Sequence, residues 1–195
     1  MSVAAVQTIR TGVAVRNSAV SLNLGCGRDV RPGWVNLDRA ALAGVDVVHD
    51  LERVPLPFAD GQFARICARD VLEHVDYLPV LRELHRVLEP GGTLEIQVPH
   101  FTSADNYIDP THVRRFSIRT FDFFVAGAAD ARDYYFDFAF SRISHRRITF
   151  LRGPLVWNWV VEPLVNASPS MQKYYELTFL SRLWPAQNIV VTLVK

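Results

Sequence analysis

The run Ser21-Leu-Asn-Leu-Gly-Cys-Gly-Arg28, followed closely by Gly33-Trp-Val-Asn-Leu-Asp38, carries the clearest chemistry in this 195-residue chain. An apolar strand that breaks into Gly-x-Gly lets backbone approach a ligand closely. A second strand ending in a carboxylate can accept hydrogen bonds from both hydroxyls of a ribose. Together the two turns suit a nucleoside-bearing cofactor.

The spacing bears on which cofactor. A dinucleotide fingerprint has a third glycine and places its carboxylate ~20 residues further on. Here the sixth position is Val30, and Asp38 follows Gly25 by thirteen residues. Lysine occurs only at 173 and 195, so the tyrosine–lysine pair used by short-chain reductases is missing. Hydride chemistry is the weaker reading.

A second concentration of reactive side chains lies in His100-Phe-Thr-Ser-Ala-Asp-Asn-Tyr-Ile-Asp-Pro-Thr-His-Val-Arg-Arg-Phe116. His100 or His112, with Asp109 to orient an imidazole, can act as a general base. Tyr107 and Arg115 are candidates for substrate contact. Two histidines and a carboxylate also match a facial metal-ligand set, and Asp109-Pro-Thr is good capping or turn chemistry. The base reading is preferred, and no resident metal is assigned.

Composition narrows the class. With 49% hydrophobic and 21% charged residues, the chain can form one domain, 1–195, with a substantial core. A net charge of +1 gives no general attraction to nucleic acid. Cys26 and Cys67 are the only cysteines, which argues against a disulfide framework. No apolar run reaches the ~18 residues that span a bilayer, and no signal-peptide pattern opens the chain. A cytoplasmic location and no membrane partner are expected.

The positioning elements follow from periodicity and punctuation. Short apolar runs at 19–24, 34–37, 45–49 and 63–68 read as buried strands. The first two leave room for barely one helical turn, so the first crossover helix is abbreviated. Apolar residues at 78, 81, 84, 87 and 88 predict an amphipathic helix over 77–88, with Glu83 and His85 on its solvated face. Pro90-Gly91-Gly92 stops it, and 93–98 forms the next strand. Alternating strands and helices give an α/β doubly wound sheet. Beyond residue 100 the expectations are a helix over 118–129, strands at 134–140, 147–151 and 188–194, and helices within 155–183. Residues 1–17 read as an arm.

The ordered segments Leu22-Asn-Leu-Gly-Cys-Gly27, Asp38, Leu56-Pro-Phe-Ala-Asp-Gly-Gln-Phe63, Leu72-Glu-His-Val75 and Arg86-Val-Leu-Glu-Pro-Gly-Gly92 resemble the motifs of class I S-adenosylmethionine-dependent methyltransferases. The resemblance is closest to small bacterial members associated with glycan or natural-product assembly. Tyr174-Tyr-Glu176 and Trp184-Pro-Ala-Gln-Asn188 are similar to the C-terminal ends of that group.

The resemblance implies a mostly parallel seven-stranded Rossmann-like sheet with an antiparallel last strand and a helical insertion before it. It places Gly25, Cys26, Gly27 and Asp38 against the methionine and ribose parts of S-adenosylmethionine. Asp50 and Leu51 would flank the adenine, Ala68 and Arg69 the sulfonium side, and His74 would touch cofactor or order its loop. The expected activity is methyl transfer to a small polar acceptor, foremost O-methylation of a sugar or natural-product intermediate. N- or C-methylation and a non-catalytic cofactor-binding module are the alternatives. Segments 100–117 and 151–185 would cover the substrate. The Asn/Asp-Pro-Pro-aromatic motif of DNA amino-methyltransferases is replaced by Asp70-Val-Leu-Glu73, so no nucleic-acid partner is expected. The aromatic stretch 157–180 suits a homodimer interface.

Overall fold

A computed structural model describes residues 20–131, 134–153 and 155–195, so the arm at 1–17 lies outside the described residues. Seven strands form one sheet: β1 Ser21–Leu24, β2 Val35–Asp38, β3 Val47–Val48, β4 Phe63–Arg69, β5 Leu88–Pro99, β6 Arg142–Thr149 and β7 Asn188–Val194. Their spatial order is β3-β2-β1-β4-β5-β7-β6. The first five pair in parallel, and β7 runs antiparallel between β5 and β6. The order reverses between β1 and β4, so a crevice is expected outside the carboxyl ends of these strands.

No helix links β1 to β2, as the short spacing required. Side-chain amides hold the connection instead. Asn23 donates through Nδ2 to Asp29 O at 2.7 Å and to Asn36 Oδ1 at 3.1 Å. Asn36 Oδ1 also accepts from Arg31 N at 2.9 Å, and its own backbone N–H donates to Asp46 Oδ2 at 2.8 Å. Both asparagines are buried, so these bonds satisfy groups that would otherwise be orphaned.

Helix α1, Tyr77–Val87, packs Val80, Leu81, Leu84 and Val87 into the core, where none of them is exposed. Each such side chain contributes up to about 1.5–3 kcal/mol by leaving water. The polar face is less solvated than expected. Glu83 is buried, accepting from Leu56 N at 2.7 Å and pairing with Arg86 at 2.8 Å. His85 Nε2 lies 3.1 Å from Ala139 O, with its ring edge-on to Phe140. Loops passing over α1 bring partners that helical spacing cannot reveal.

The segment after β5 departs most from expectation. The predicted helix over 118–129 is reduced to a 3-10 turn, Thr120–Phe124. Residues 134–140 form turns and irregular backbone rather than a strand, with a bridge between Val125 and Phe140. Their alternating aromatics serve a cluster: Phe138 stacks on Phe124 at 5.8 Å and Phe136 tilts against it at 4.7 Å.

Three helices precede β7: α3 Asn158–Val165, α4 Pro169–Leu177 and α5 Leu180–Leu183, while a single turn, α2 Asp105–Ile108, follows β5. Helix α4 starts where Ser168 Oγ accepts from Met171 N at 3.2 Å and Pro169 occupies the first turn. The arginine-rich positive charge goes largely into ion pairs, including Arg69–Glu95, Arg114–Asp76 and Arg147–Glu162. Among the described residues no helix is long and apolar enough to cross a membrane.

Candidate active site

At the carboxyl ends of β1, β2 and β4 the chain encloses a cavity of about 320 Å³. That volume lies in the range of roughly 300–1,000 Å³ usual for small-molecule sites. A larger depression, about 560 Å³, lies between α1 and residues 135–138, but no strand end lines it. The smaller cavity has the functional groups.

Gly25 leads out of β1 with φ +58° and lines this cavity. A Cβ there would sit 2.4 Å from Val71 Cγ2, so the position needs glycine for both backbone angle and space. Gly27, at φ +48°, donates its N–H to Asp38 Oδ2 at 2.8 Å. Asp38 Oδ1 accepts from Ala40 N at 2.8 Å. A carboxylate has about four lone-pair sites, so Asp38 keeps acceptor capacity toward the cavity.

Asp50, Leu51 and His74 also line the cavity. Cys26 does not: it is buried, its N–H donates to Leu37 O at 3.0 Å, and burial foremost pushes its thiol above the usual range.

The expected pair from β4 is displaced along the chain. Ala68 is fully buried in the sheet, and the Arg69 guanidinium turns to Glu95 Oε1 at 2.7 Å. The wall is made instead by Asp70 and Val71. Asp70 has φ +53°, the one non-glycine with positive φ among the described residues; its N–H donates to Gln97 O at 2.9 Å. Such backbone strain collects at functional sites. Arg39, Glu52, Val75 and Thr111 complete the lining. Four carboxylates, Asp38, Asp50, Glu52 and Asp70, face one guanidinium, so the cavity favours a cationic ligand.

His100 does not face the cavity as a base would. It is completely enclosed, with Nε2 at 3.1 Å from Glu176 Oε1 and Nδ1 at 2.7 Å from Thr102 Oγ1. Thr102 N also donates to Nδ1, so Nδ1 is the acceptor and Nε2 carries the proton given to Glu176. Glu176 further accepts from Ser117 Oγ at 2.6 Å and Ile118 N at 2.7 Å. Burial alone would raise the Glu176 carboxyl, but the hydrogen bonds from His100, Ile118 and Ser117 outweigh it and hold the group low. The pair therefore fixes the loop after β5.

His112 and Asp109 stand at the cavity rim through His74. The His74 and His112 rings meet edge to face at 4.6 Å, and His74 Nδ1 lies 2.8 Å from Thr111 Oγ1. Thr111 Oγ1 donates to Asp109 Oδ1 at 2.6 Å, and His112 Nε2 is 3.8 Å from Asp109 Oδ2. Burial, then the neighbouring His112, lower the His74 imidazole. Behind them Glu73 is fully buried, and burial pushes its carboxyl up to about 8. Its backbone carbonyl accepts from Val113 N and Arg114 N, tying the 3-10 turn Leu72–His74 to the 109–116 loop. Tyr107 and Arg115 stack on each other, guanidinium 5.0 Å from ring centre, and neither lines the cavity.

Comparison with known proteins agrees with this architecture. Residues 14–96 match the family model described as a methyltransferase domain. Over 90 residues the chain is 40% identical to methyltransferase GfsG of Streptomyces halstedii, covering 45% of this chain and 30% of that protein. It is 38% identical over 66 residues to demethylmenaquinone methyltransferase of Listeria welshimeri, covering 33% and 28% respectively. The chain thus spans less than a third of the length of these curated relatives.

The fold is similar to a SAM-dependent methyltransferase from Archaeoglobus fulgidus, with TM-score 0.59, 16% identity, and coverage of 92% of this chain and 87% of that one. A putative methyltransferase from Bacillus halodurans gives TM-score 0.54 at 15% identity, with coverage of 93% and 94%. The glycine turn, the β2 carboxylate and the β3-β2-β1-β4-β5-β7-β6 order thus lie in a chain whose residues 14–96 match a methyltransferase domain and whose fold is similar to that of a SAM-dependent methyltransferase.

Proposed function

We propose that this protein transfers a methyl group from S-adenosylmethionine to a small polar acceptor, foremost a hydroxyl of a sugar or natural-product intermediate. The observation that carries the reading is the cavity at the sheet's switch point, where Asp38 keeps free acceptor sites beside Gly25 and four carboxylates surround the space. A ribose diol and a sulfonium cation fit that donor set. When bound, S-adenosylmethionine supplies an electrophilic methyl group. Asp38 takes the ribose hydroxyls, Gly25 allows close backbone approach, Asp50 and Leu51 border the base, and Asp70 and Val71 wall the methionine side. Methyl transfer requires in-line placement of the acceptor and exclusion of water. The acceptor side is then the His74–Thr111–His112 rim, and a proton leaving a hydroxyl acceptor has two imidazoles in that rim. His100 serves as a positioning residue.

Supporting a homodimer, Trp157, Trp159, Val160 and Leu164 are exposed on and beside α3. Calorimetry with S-adenosylmethionine and S-adenosylhomocysteine tests the cofactor reading: micromolar binding by the full chain is expected, and no binding refutes it. A screen of hydroxylated acceptors, read as S-adenosylhomocysteine release, tests turnover and separates enzyme from binding module.

A further inference from the structure

We propose that Glu73, His74 and His112 form a binding site for a divalent transition-metal ion at the acceptor rim of the cofactor cavity. One donor atom from each of the three residues lies within 4.8 Å of the others. Two imidazoles and a carboxylate form the set that holds zinc or iron while leaving positions open.

The unsatisfied atoms point the same way. Glu73 has no exposed surface, yet neither carboxylate oxygen has a hydrogen-bond partner, and His112 Nδ1 is likewise buried and unpartnered. Buried polar atoms are nearly always paired, so three orphaned atoms in one cluster indicate a missing partner. One water, with two protons, can reach two of these atoms at most; a single cation can be shared by the carboxylate and both imidazole lone pairs.

Hydrogen bonding sets the His74 tautomer for ligation. Thr111 has one hydroxyl proton and gives it to Asp109, so the contact between Thr111 Oγ1 and His74 Nδ1 requires the ring to donate. That leaves the lone pair of His74 on Nε2. His112 Nε2 lies 3.8 Å from Asp109 Oδ2, in ion-pair range but beyond hydrogen-bond reach, and the orphaned Nδ1 is the ring atom free to meet an ion. Asp109 thereby orients the His74 ring through Thr111, as outer carboxylates do for metal-binding histidines, and stands beside the His112 ring. Asp70 and Asp109 add negative charge near Glu73.

Bonds of about 2.0–2.2 Å bring donor atoms to roughly 3–3.5 Å of each other. From separations of up to 4.8 Å the three donors must close by at most about 1.3–1.8 Å, within the range of side-chain torsions. His74 and Thr111 line the cavity, so the open positions face the place where an acceptor oxygen would lie. There the ion would orient a hydroxyl and make it more acidic, so that its proton can pass to solvent; both imidazole lone pairs are then on the ion, which takes the place of a free imidazole base. That role rests on the methyl-transfer reading; binding of the ion does not. The assignment departs from the sequence expectation of no metal.

The test is a Co2+ titration of the chelator-treated full chain, followed by visible d–d absorption and by equilibrium dialysis. One ion per chain is expected, with an absorption band in the range of nitrogen- and oxygen-ligated cobalt. Glu73→Gln, which keeps size and burial, and His112→Ala should each weaken binding at least tenfold, with circular dichroism confirming that they fold. Absence of stoichiometric binding by the unaltered chain overturns the proposal, whatever the variants do. Binding that survives unchanged in both variants overturns it too. S-adenosylhomocysteine calorimetry on the same sample reports separately on the cofactor reading.

Discussion

Glu176 on α4 accepts a hydrogen bond from His100 Nε2 at 3.1 Å across 76 residues of sequence, and the imidazole is completely buried. Removing the carboxylate would strand the imidazole N–H, the Ser117 hydroxyl and the Ile118 N–H in the interior. Glu176→Ala is expected to lower unfolding free energy by about 2–4 kcal/mol, read from urea midpoints. A loss under about 0.5 kcal/mol, as at an ordinary surface site, would refute a structural role for the pair.

The same pair predicts a pH dependence. The folded Glu176 carboxyl lies below the ordinary glutamate range. Its stabilisation is therefore fully present above that range and disappears as pH falls through the lowered value. The stability difference between the parent chain and Glu176→Gln should shrink on acidification from about pH 6 to pH 3. A constant or widening difference would contradict the assignment.

Asp38 is expected to dominate cofactor affinity. Losing two hydrogen bonds to a charged acceptor, each about 1.5 kcal/mol or more, should weaken S-adenosylhomocysteine binding by roughly 100-fold in Asp38→Ala. Gly27 also loses the acceptor of its N–H, so Asp38→Asn is the milder comparison. Calorimetric titration of both variants distinguishes ligand contact from turn support. Unchanged affinity in both would place the ribose elsewhere.

Gly25 and Val71 offer a steric test. Gly25→Ala meets Val71 Cγ2 at 2.4 Å and strains a φ of +58°. A destabilisation of about 2–3 kcal/mol is expected. Adding Val71→Ala removes the clash but not the backbone strain, so the double variant should recover only part of the loss. Purely additive effects in thermal melts would mean the two side chains do not compete for one space.

Asp70 tests whether strain serves binding. Glycine accepts its φ of +53° freely, so Asp70→Gly should leave stability within about 1 kcal/mol of the parent. Cofactor affinity should nevertheless fall, because one of four cavity carboxylates is gone. If affinity holds while stability drops, Asp70 acts through Gln97 alone, whose Nε2 donates to it at 3.2 Å.

The first half of the chain was legible because its signals are local. Glycine turns and three-four spacing located β1, Asp38 and α1, whereas Pro90-Gly91-Gly92, expected to stop the helix, lies inside β5, which begins at Leu88 directly after α1. The wall beyond β4 was misread by two residues because a strand's last residue has no signature, and the positive φ of Asp70 is visible only in the backbone. The 118–140 region has helical and alternating patterns in sequence, yet its aromatics pack around Phe124. His100 and His112 look equivalent as residue types. Their difference is one of surroundings: Glu176 encloses the first, while the second shares its carboxylate, Asp109, with His74 through Thr111.

The Glu176 lock also sets where the chain can be cut. The segment matching the family model ends at residue 96, yet the loop bearing Asp109 and His112 is fastened at Ser117 and Ile118 by a side chain eighty residues past that end. A chimera that replaces the C-terminal third of the chain must supply a carboxylate at the same point. Otherwise it inherits the cavity with its His74–Thr111–His112 rim unmoored.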